Sequence, residues 1–185
     1  MKTLHTKLEQ LFELGELTQQ RDDLAFLSVG SKQLRPIISH LRDSEGFTHL
    51  VLLTAVDWLE EGLFQLTYLL SNRKKRQDIG LRVMLNRDNA SMVTIHDLWP
   101  TAATYQRELK EMFGIDFPDS PNVNDEFILE GWRDIPPYRR DFDTLKYSDE
   151  NYNIRDGRET KDPAQYMKEQ LYPSSDNNQK QGKES

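Results

Sequence analysis

The stretch HLVLLTAVDWLEEGLFQLTYLLSNRKKRQDIGLRVML, residues 49–85, decides the fold. Its first ten residues are nearly unbroken in apolar side chains, as expected of a central strand covered on both faces. Leu-Glu-Glu at 59–61 reads as a turn, and a second apolar run, GLFQLTYLLS, follows it. The charged NRKKRQD then separates a third run, IGLRVML, and SMVTIHDLW at 91–99, after the turn-like NRDNA, reads as a fourth. Connections this short favour antiparallel neighbours, because a parallel crossover needs a dozen or more residues. The expectation is an antiparallel meander.

Helices flank it on both sides. Leu4, Leu8, Leu11 and Phe12 share one helical face, predicting an amphipathic helix that ends near Gly15. LAFLSVG then reads as a strand stopped by Gly30. Ser31 suits the N-cap of a second helix, with Leu34, Ile37, Ile38 and Leu41 as its buried face and Gly46 closing it. Beyond the strands, Pro100 suits the first turn of a third helix and Gly114 its end, with Ala102, Tyr105, Leu109, Met112 and Phe113 between them as the apolar stripe. Helices on a mainly antiparallel sheet make a two-layer α+β domain. We assign residues 1–117 to it. From 118 onward prolines recur and apolar periodicity vanishes, so 118–173 is expected to be an extended Pro-rich interaction tail and 174–185 a disordered C-terminus.

Composition removes whole classes of function. A formal charge of -7 and a pI near 5.2 argue against nucleic acid or an anionic membrane as partner, since those bind basic stripes. The chain has no cysteine, which excludes disulfides, thiolate zinc sites, iron–sulfur ligation and a cysteine nucleophile, and fits a cytoplasmic setting. No segment approaches the ~20 apolar residues that span a bilayer, and the N-terminus reads as neither a signal peptide nor an anchor. The four histidines fall in four different elements without paired spacing, so no metal site is expected. Dispersed glycines form no phosphate-cradling loop. Asp116, Asp119, Asn122, Asn124, Asp125 and Glu126 lack the alternating ligands and central glycine of a calcium loop and read as a solvated acidic loop. Asp57, Glu60 and Glu61 sit at a strand end and turn, where charge is expected without catalysis. Nothing supplies a nucleophile with a base at recognisable spacing.

Two stretches remain, YQRELKEMFGIDF at 105–117 and WRDIPPYRRDF at 132–142. In the first, Arg107 and Glu111 lie one turn apart and are expected to pair, with Glu108 pointing elsewhere. In the second, two prolines stiffen the backbone ahead of Tyr138, Arg139, Arg140, Asp141 and Phe142. Arginines and aromatics on a preorganised segment bury much area at low entropic cost, which is what a protein–protein contact uses.

Residues 47–142 resemble the 30 kDa subunit family, the C-subunits, of the proton-pumping NADH:quinone oxidoreductase (respiratory complex I), a family shared with energy-converting membrane-bound hydrogenases. Trp99, Pro100, Ala103, Arg107, Glu108, Met112, Phe113, Gly114 and Ile115 carry the match, followed by Pro137, Arg139, Asp141 and Phe142. The family's glutamate before the arginine is Gln106 here, its later aspartate is Glu111, and its Gly-His-Pro histidine is Ser120, with Asn124 and Asp125 in place of basic residues. The resemblance implies a peripheral subunit on the cytoplasmic side of the inner membrane, reaching that membrane only through its partners. It implies no catalytic, cofactor-binding or metal residue in this chain, with NADH, FMN, iron–sulfur clusters and quinone held by partner subunits. The implied partners are the large quinone-pocket subunit and the subunit of the terminal iron–sulfur cluster. The expected interface comprises Arg107, Glu108, Phe113, Gly114, Trp132, Pro137, Tyr138, Arg139, Arg140, Asp141 and Phe142. Two rivals are the equivalent subunit of a membrane-bound hydrogenase or ferredoxin-driven complex, and a stand-alone enzyme using Arg107, Glu108, Arg139 and Asp141 on an anion.

Overall fold

A computed structural model describes residues 2–152 and residue 167. Three of the apolar runs form the expected meander: β3 (His49–Trp58), β4 (Leu63–Asn72) and β5 (Gln77–Asn86) pair antiparallel in sequence order. β4 alternates half-buried and buried residues without a break, and its Phe64, Leu66, Tyr68 and Leu70 point into the core. Opposite them lie Asp57, Ala55 and Leu53 on one side and Leu85, Val83 and Leu81 on the other.

The N-terminal third completes the sheet. α1 (Lys2–Glu9) leads into β1 (Leu17–Arg21) and β2 (Leu24–Ser28), an antiparallel pair, and β2 joins β5 in parallel, so the strand order is β1-β2-β5-β4-β3. α1 stops well short of the expected Gly15. The amides of Leu11 and Phe12 fold back on the Leu8 carbonyl, and Gly15 N–H already donates to Ser28 O as the chain turns into β1. β1, LTQQR, has no apolar alternation, which is why its sequence does not announce it. α2 (Ser31–Asp43) carries the predicted buried face, but Gly30 is its N-cap in place of Ser31, and Ser44 is its C-cap.

SMVTIHDLW is not a fourth strand. Its only ladder contact is an isolated bridge from Ser91 to Asp116. Beyond that its backbone donors are taken locally: His96 N–H by Thr94 Oγ1, and Leu98 and Trp99 N–H by Ile95 O. Met92, Thr94, Ile95 and Trp99 are buried and Val93 is exposed, so the alternation of 91–94 ends at the adjacent buried pair Thr94 and Ile95 and gives way to a four-residue step to Trp99, which a flat strand cannot turn to one core.

α3 (Ala102–Phe113) lies against β3 and buries Ala102, Leu109, Met112 and Phe113 in the same core. Pro100 falls just before it. The compact unit runs to Asp143, past Phe117. A second unit begins at Thr144 with α4 (Thr144–Asn151), whose Leu145 is exposed and whose Tyr147 ring meets that of Tyr152, just past the helix, edge to face. The expected disordered stretch 174–185, and the tail beyond residue 152 apart from Met167, lie outside the described residues.

Within the first unit only one face of the sheet is covered by helices. The other presents Leu52, Thr54, Val56 and Trp58 of β3, Leu63, Gln65, Thr67 and Leu69 of β4, and Arg82, Met84 and Asn86 of β5, with Val56, Trp58 and Met84 exposed. Phe26 of β2 lies flat across Gly80, where a Cβ would come within 2.3 Å of its ring, so only glycine lets the ring seat there.

Candidate protein-interaction site

The C-terminal end of α3 is the floor of the site. Gly114 takes a left-handed conformation (φ 80°) and its N–H bonds back to Leu109 and Lys110 carbonyls, ending the helix. Residues 132–142 cross this end as a strap. Tyr138 N–H donates to Met112 O at 3.0 Å, filling one of the carbonyls a helix terminus leaves open. Arg139 N–H bonds Pro136 O and Phe142 N–H bonds Arg139 O, so the diproline is followed by tight turns. The Tyr138 ring stands edge-on to Phe113, which stands edge-on to Phe64, giving an aromatic column from surface to core. Trp132 meets Phe142 in the same way. A Cβ at Gly114 would lie 3.5 Å from Pro136 and 3.9 Å from Arg139, ordinary contact, so the penalty of substitution there is conformational. Gly114→Ala is expected to destabilise the chain by about 1–2 kcal/mol through that positive φ, read as a lower midpoint in denaturant melts.

Beneath the strap lies a charge network. The Asp57 carboxylate, 1% exposed, accepts from Arg87 Nε at 2.7 Å and Nη2 at 3.0 Å, and Arg87 Nη2 also donates to Asp141 at 2.7 Å. Arg140 N–H donates to the second Asp57 oxygen at 2.8 Å, while the Arg140 side chain turns outward to Glu60. Burial pushes the Asp57 carboxyl upward, but the Arg87 fork, the Arg140 N–H and the positive charges of Arg87 and Arg139 outweigh it and hold it below the usual carboxylate value. Asp141 is lowered for the same reasons, burial opposing and Arg87 prevailing. The strap is therefore anchored through Asp141 and the Arg140 backbone to β3 and to the turn after β5.

The exposed face of α3 departs from its expected pairing. Arg107 does not bond Glu111. Its guanidinium sits over the Phe127 ring at 4.9 Å, and its Nε is shut from solvent without a partner. Glu111 instead reaches into the following loop and accepts the N–H groups of Phe127, Ile128 and Leu129 at 2.6, 2.8 and 3.2 Å. Three converging donors satisfy a carboxylate better than one surface cation does. Two departures from the family pattern touch: Ser120 Oγ donates to Gln106 Oε1 at 2.7 Å, where Thr94 Oγ1 also donates, and all three residues are buried.

Of the expected interface residues, Tyr138 (58% exposed) and the Arg140 side chain face outward, Gly114 is exposed, and Trp132, Pro137 and Phe142 are half-buried. Phe113 is buried in the aromatic column. Arg139 turns inward: it covers Phe64 at 5.6 Å and stands 3.6 Å from Asp141. Glu108 is half-buried on α3 beside Arg107. No hydrogen bond or ion pair among the described residues joins Arg107 or Glu108 to Arg139 or Asp141, so the anion site imagined from those four is not assembled. An open groove of about 610 Å³ between α2 and residues 91–93 is also bounded by Pro118 and Asp119, and its Arg35 is already engaged by Asp97 and Thr94 O. Arg87, in the NRDNA turn, ties the strap to β3, and no sequence motif marks it. Only its contact partners, far away in sequence, distinguish it.

A family model described as "Respiratory-chain NADH dehydrogenase, 30 Kd subunit" matches residues 27–148. The chain is 29% identical over 141 residues to the NADH-quinone oxidoreductase C-subunit of Moorella thermoacetica, covering 74% of this chain and 90% of that protein. It is 32% identical over 158 residues to the C-subunit of the Rhodobacter capsulatus enzyme, covering 84% of this chain and 74% of that one. With a C/D-subunit of the NADH-quinone oxidoreductase of Aquifex aeolicus it shares 32% over 110 residues, 59% of this chain and only 18% of the relative. Among solved structures it is similar to a chain of an archaeal membrane-bound sulfane sulfur reductase, with a TM-score of 0.73, 27% identity, and coverage of 86% of this chain and 95% of that one. A trypsin-resistant fragment of Nqo5 shares the fold at a TM-score of 0.52 and 18% identity, covering 65% of this chain and 96% of the fragment.

Proposed function

Because this chain belongs to the 30 kDa subunit family of respiratory-chain NADH dehydrogenase, we propose that it is the peripheral-arm scaffold of an NADH:quinone oxidoreductase. It works as a subunit of a multi-subunit complex, which as a whole passes electrons from NADH to quinone and translocates protons. The chain itself is non-catalytic and holds no redox group; NADH, FMN, iron–sulfur clusters and quinone reside in its partners. Supporting this, a chain without cysteine offers no thiolate to a cluster. Its principal partner is the large quinone-pocket subunit, with the terminal iron–sulfur subunit adjacent. In relatives of the C/D type the stretch that matches this chain is less than a fifth of a longer polypeptide, as expected where it works tethered to a second subunit. It sits on the cytoplasmic face of the inner membrane by way of those partners; no described helix is long and apolar enough to cross a membrane.

The observation that carries the reading is the strap: Asp141 and the Arg140 backbone lock it down from within, and Tyr138 and the Arg140 side chain are left outside on a rigid base. A preorganised aromatic and an arginine fork lose little entropy on docking. In mild-detergent affinity purification of the tagged chain, Tyr138→Ala is expected to retain the large subunit about tenfold less well, ~1.4 kcal/mol. Undiminished retention by that variant removes the strap from the interface, and recovery of the unaltered chain as a free monomer removes the proposal. The archaeal sulfane sulfur reductase likeness favours a second reading, the equivalent subunit of a membrane-bound hydrogenase or ferredoxin-driven complex. Assay of the intact complex with NADH and with reduced ferredoxin separates the two, since only one donor will sustain turnover.

A further inference from the structure

Four consecutive rows of the sheet face turned away from the helices carry almost no charge, and Asp78 lies in the row just beyond them. From the row Leu52, Leu69, Gly80, Phe26 to the row Trp58, Leu63, Asn86, the only charged side chain is Arg82, in a chain that is 30% charged overall. An antiparallel sheet face that only meets water is built from polar and charged side chains. Here Val56, Trp58 and Met84 are 45%, 40% and 47% exposed and lie on β3 and β5, the strands on either side of β4, whose Gln65 pairs with both Val56 and Met84 and accepts the Trp58 indole N–H. Contiguous exposed apolar surface of this kind marks a docking face.

Arg82 says what docks. It is flanked across the strands by Thr67 and Ser28, short and uncharged on both sides. Its guanidinium is laid over the Phe26 ring at 4.1 Å, the ring itself seated on Gly80, and no carboxylate among the described residues pairs with it. A planar cation held flat by an aromatic ring keeps its fork preorganised for a carboxylate arriving from above. A second copy of this chain packed face to face about a two-fold axis through this row would set Arg82 against its own mate, and among these rows the copy offers no carboxylate to pair with it. An anionic bilayer finds a single cation on a protein of net charge -7.

We propose that this open face is a second docking surface, distinct from the strap, and that it receives an amphipathic helix of another subunit whose apolar stripe covers Val56, Trp58 and Met84 and whose Asp or Glu pairs with Arg82. The subunit reading is used here only for where that helix comes from. The test places a photo-crosslinking amino acid at Met84 and, separately, at Tyr138 of the full chain, within the intact complex, and maps the adducts by mass spectrometry. The expected result is an adduct from position 84 in a helical segment of a different subunit, with an acidic residue within one turn of the attachment point. Adducts from Tyr138 but none from position 84 overturn the second surface and leave the subunit reading standing; silence at both positions overturns both. Adducts from position 84 to a second copy, or to residues 153–185 of the same chain, overturn it too. Arg82→Glu is expected to cut retention of the crosslinked subunit about tenfold while Arg82→Lys retains most of it, and the melting midpoint of the isolated chain should stay unchanged in both. Equal retention by Arg82→Glu and the unaltered chain eliminates the carboxylate partner.

Discussion

Arg87→Ala is expected to destabilise the chain by about 3–5 kcal/mol, lowering its melting midpoint by roughly 10 °C. The large effect comes from what is left behind. Asp57, 1% exposed, would keep its negative charge in the interior with only the Arg140 N–H for company, and Asp141 would lose its hold on the strap. Asp57→Asn in the same background should recover a large part of the loss by removing the orphaned charge, whereas a deficit from lost packing alone would persist. The network also fixes the acid limb of stability. Both carboxyls have folded-state values below the ordinary 3.8, so the unfolded chain binds protons first as pH falls. Their contribution is complete above about pH 5 and is lost as pH drops through 3.8 toward the folded values. Arg87→Ala should flatten that limb, and an unaltered acid profile in the variant would show that the network does not set it.

Glu111→Ala should cost about 2–4 kcal/mol, because three amides lose a charged acceptor at once and two of them, Phe127 and Leu129, are partly buried. The damage should be regional. Hydrogen exchange at residues 127–129 is expected to accelerate far more than in β4, and limited proteolysis should cut between Asn124 and Trp132 first. Phe127 is also the ring over Arg107, so loosening the loop uncovers that guanidinium. Glu111→Gln keeps one good acceptor oxygen and should fall between the two. Equal exchange across the loop in variant and unaltered chain would mean the amides find water at no loss.

The meander is legible because 49–85 contains three apolar runs separated by short polar turns, and pattern of that kind needs no long-range information. What stays hidden is whatever depends on a distant partner. β1 forms because β2 offers it an edge, and β2 turns parallel to β5 because α2, β3 and β4 intervene; neither fact is written in LTQQR or LAFLS. The stretch 91–99 has strand-like composition, but its burial rhythm is set by local hydrogen bonds. In the site, the strap is recognisable from its prolines, arginines and rings. Its division into an inner half, Arg139 and Asp141, and an outer half, Tyr138 and Arg140, follows from Arg87 and Asp57, which lie more than fifty residues upstream. Helical spacing pairs Arg107 with Glu111, a rule that holds for isolated helices and yields where a loop crosses the helix.

The parallel seam between β2 and β5 sets an order of events at the ribosome. Residues 24–28 leave the exit tunnel well before 78–82, so the first helices and hairpin must wait, with their apolar sides unmatched, until the last strand of the meander has been synthesised. Strand pairing across that sequence distance is slow compared with closing the two hairpins of 49–86. Nascent chains arrested before residue 77 should therefore stay bound to chaperones, and release should come in one step as β5 emerges and receives the waiting N-terminal segment.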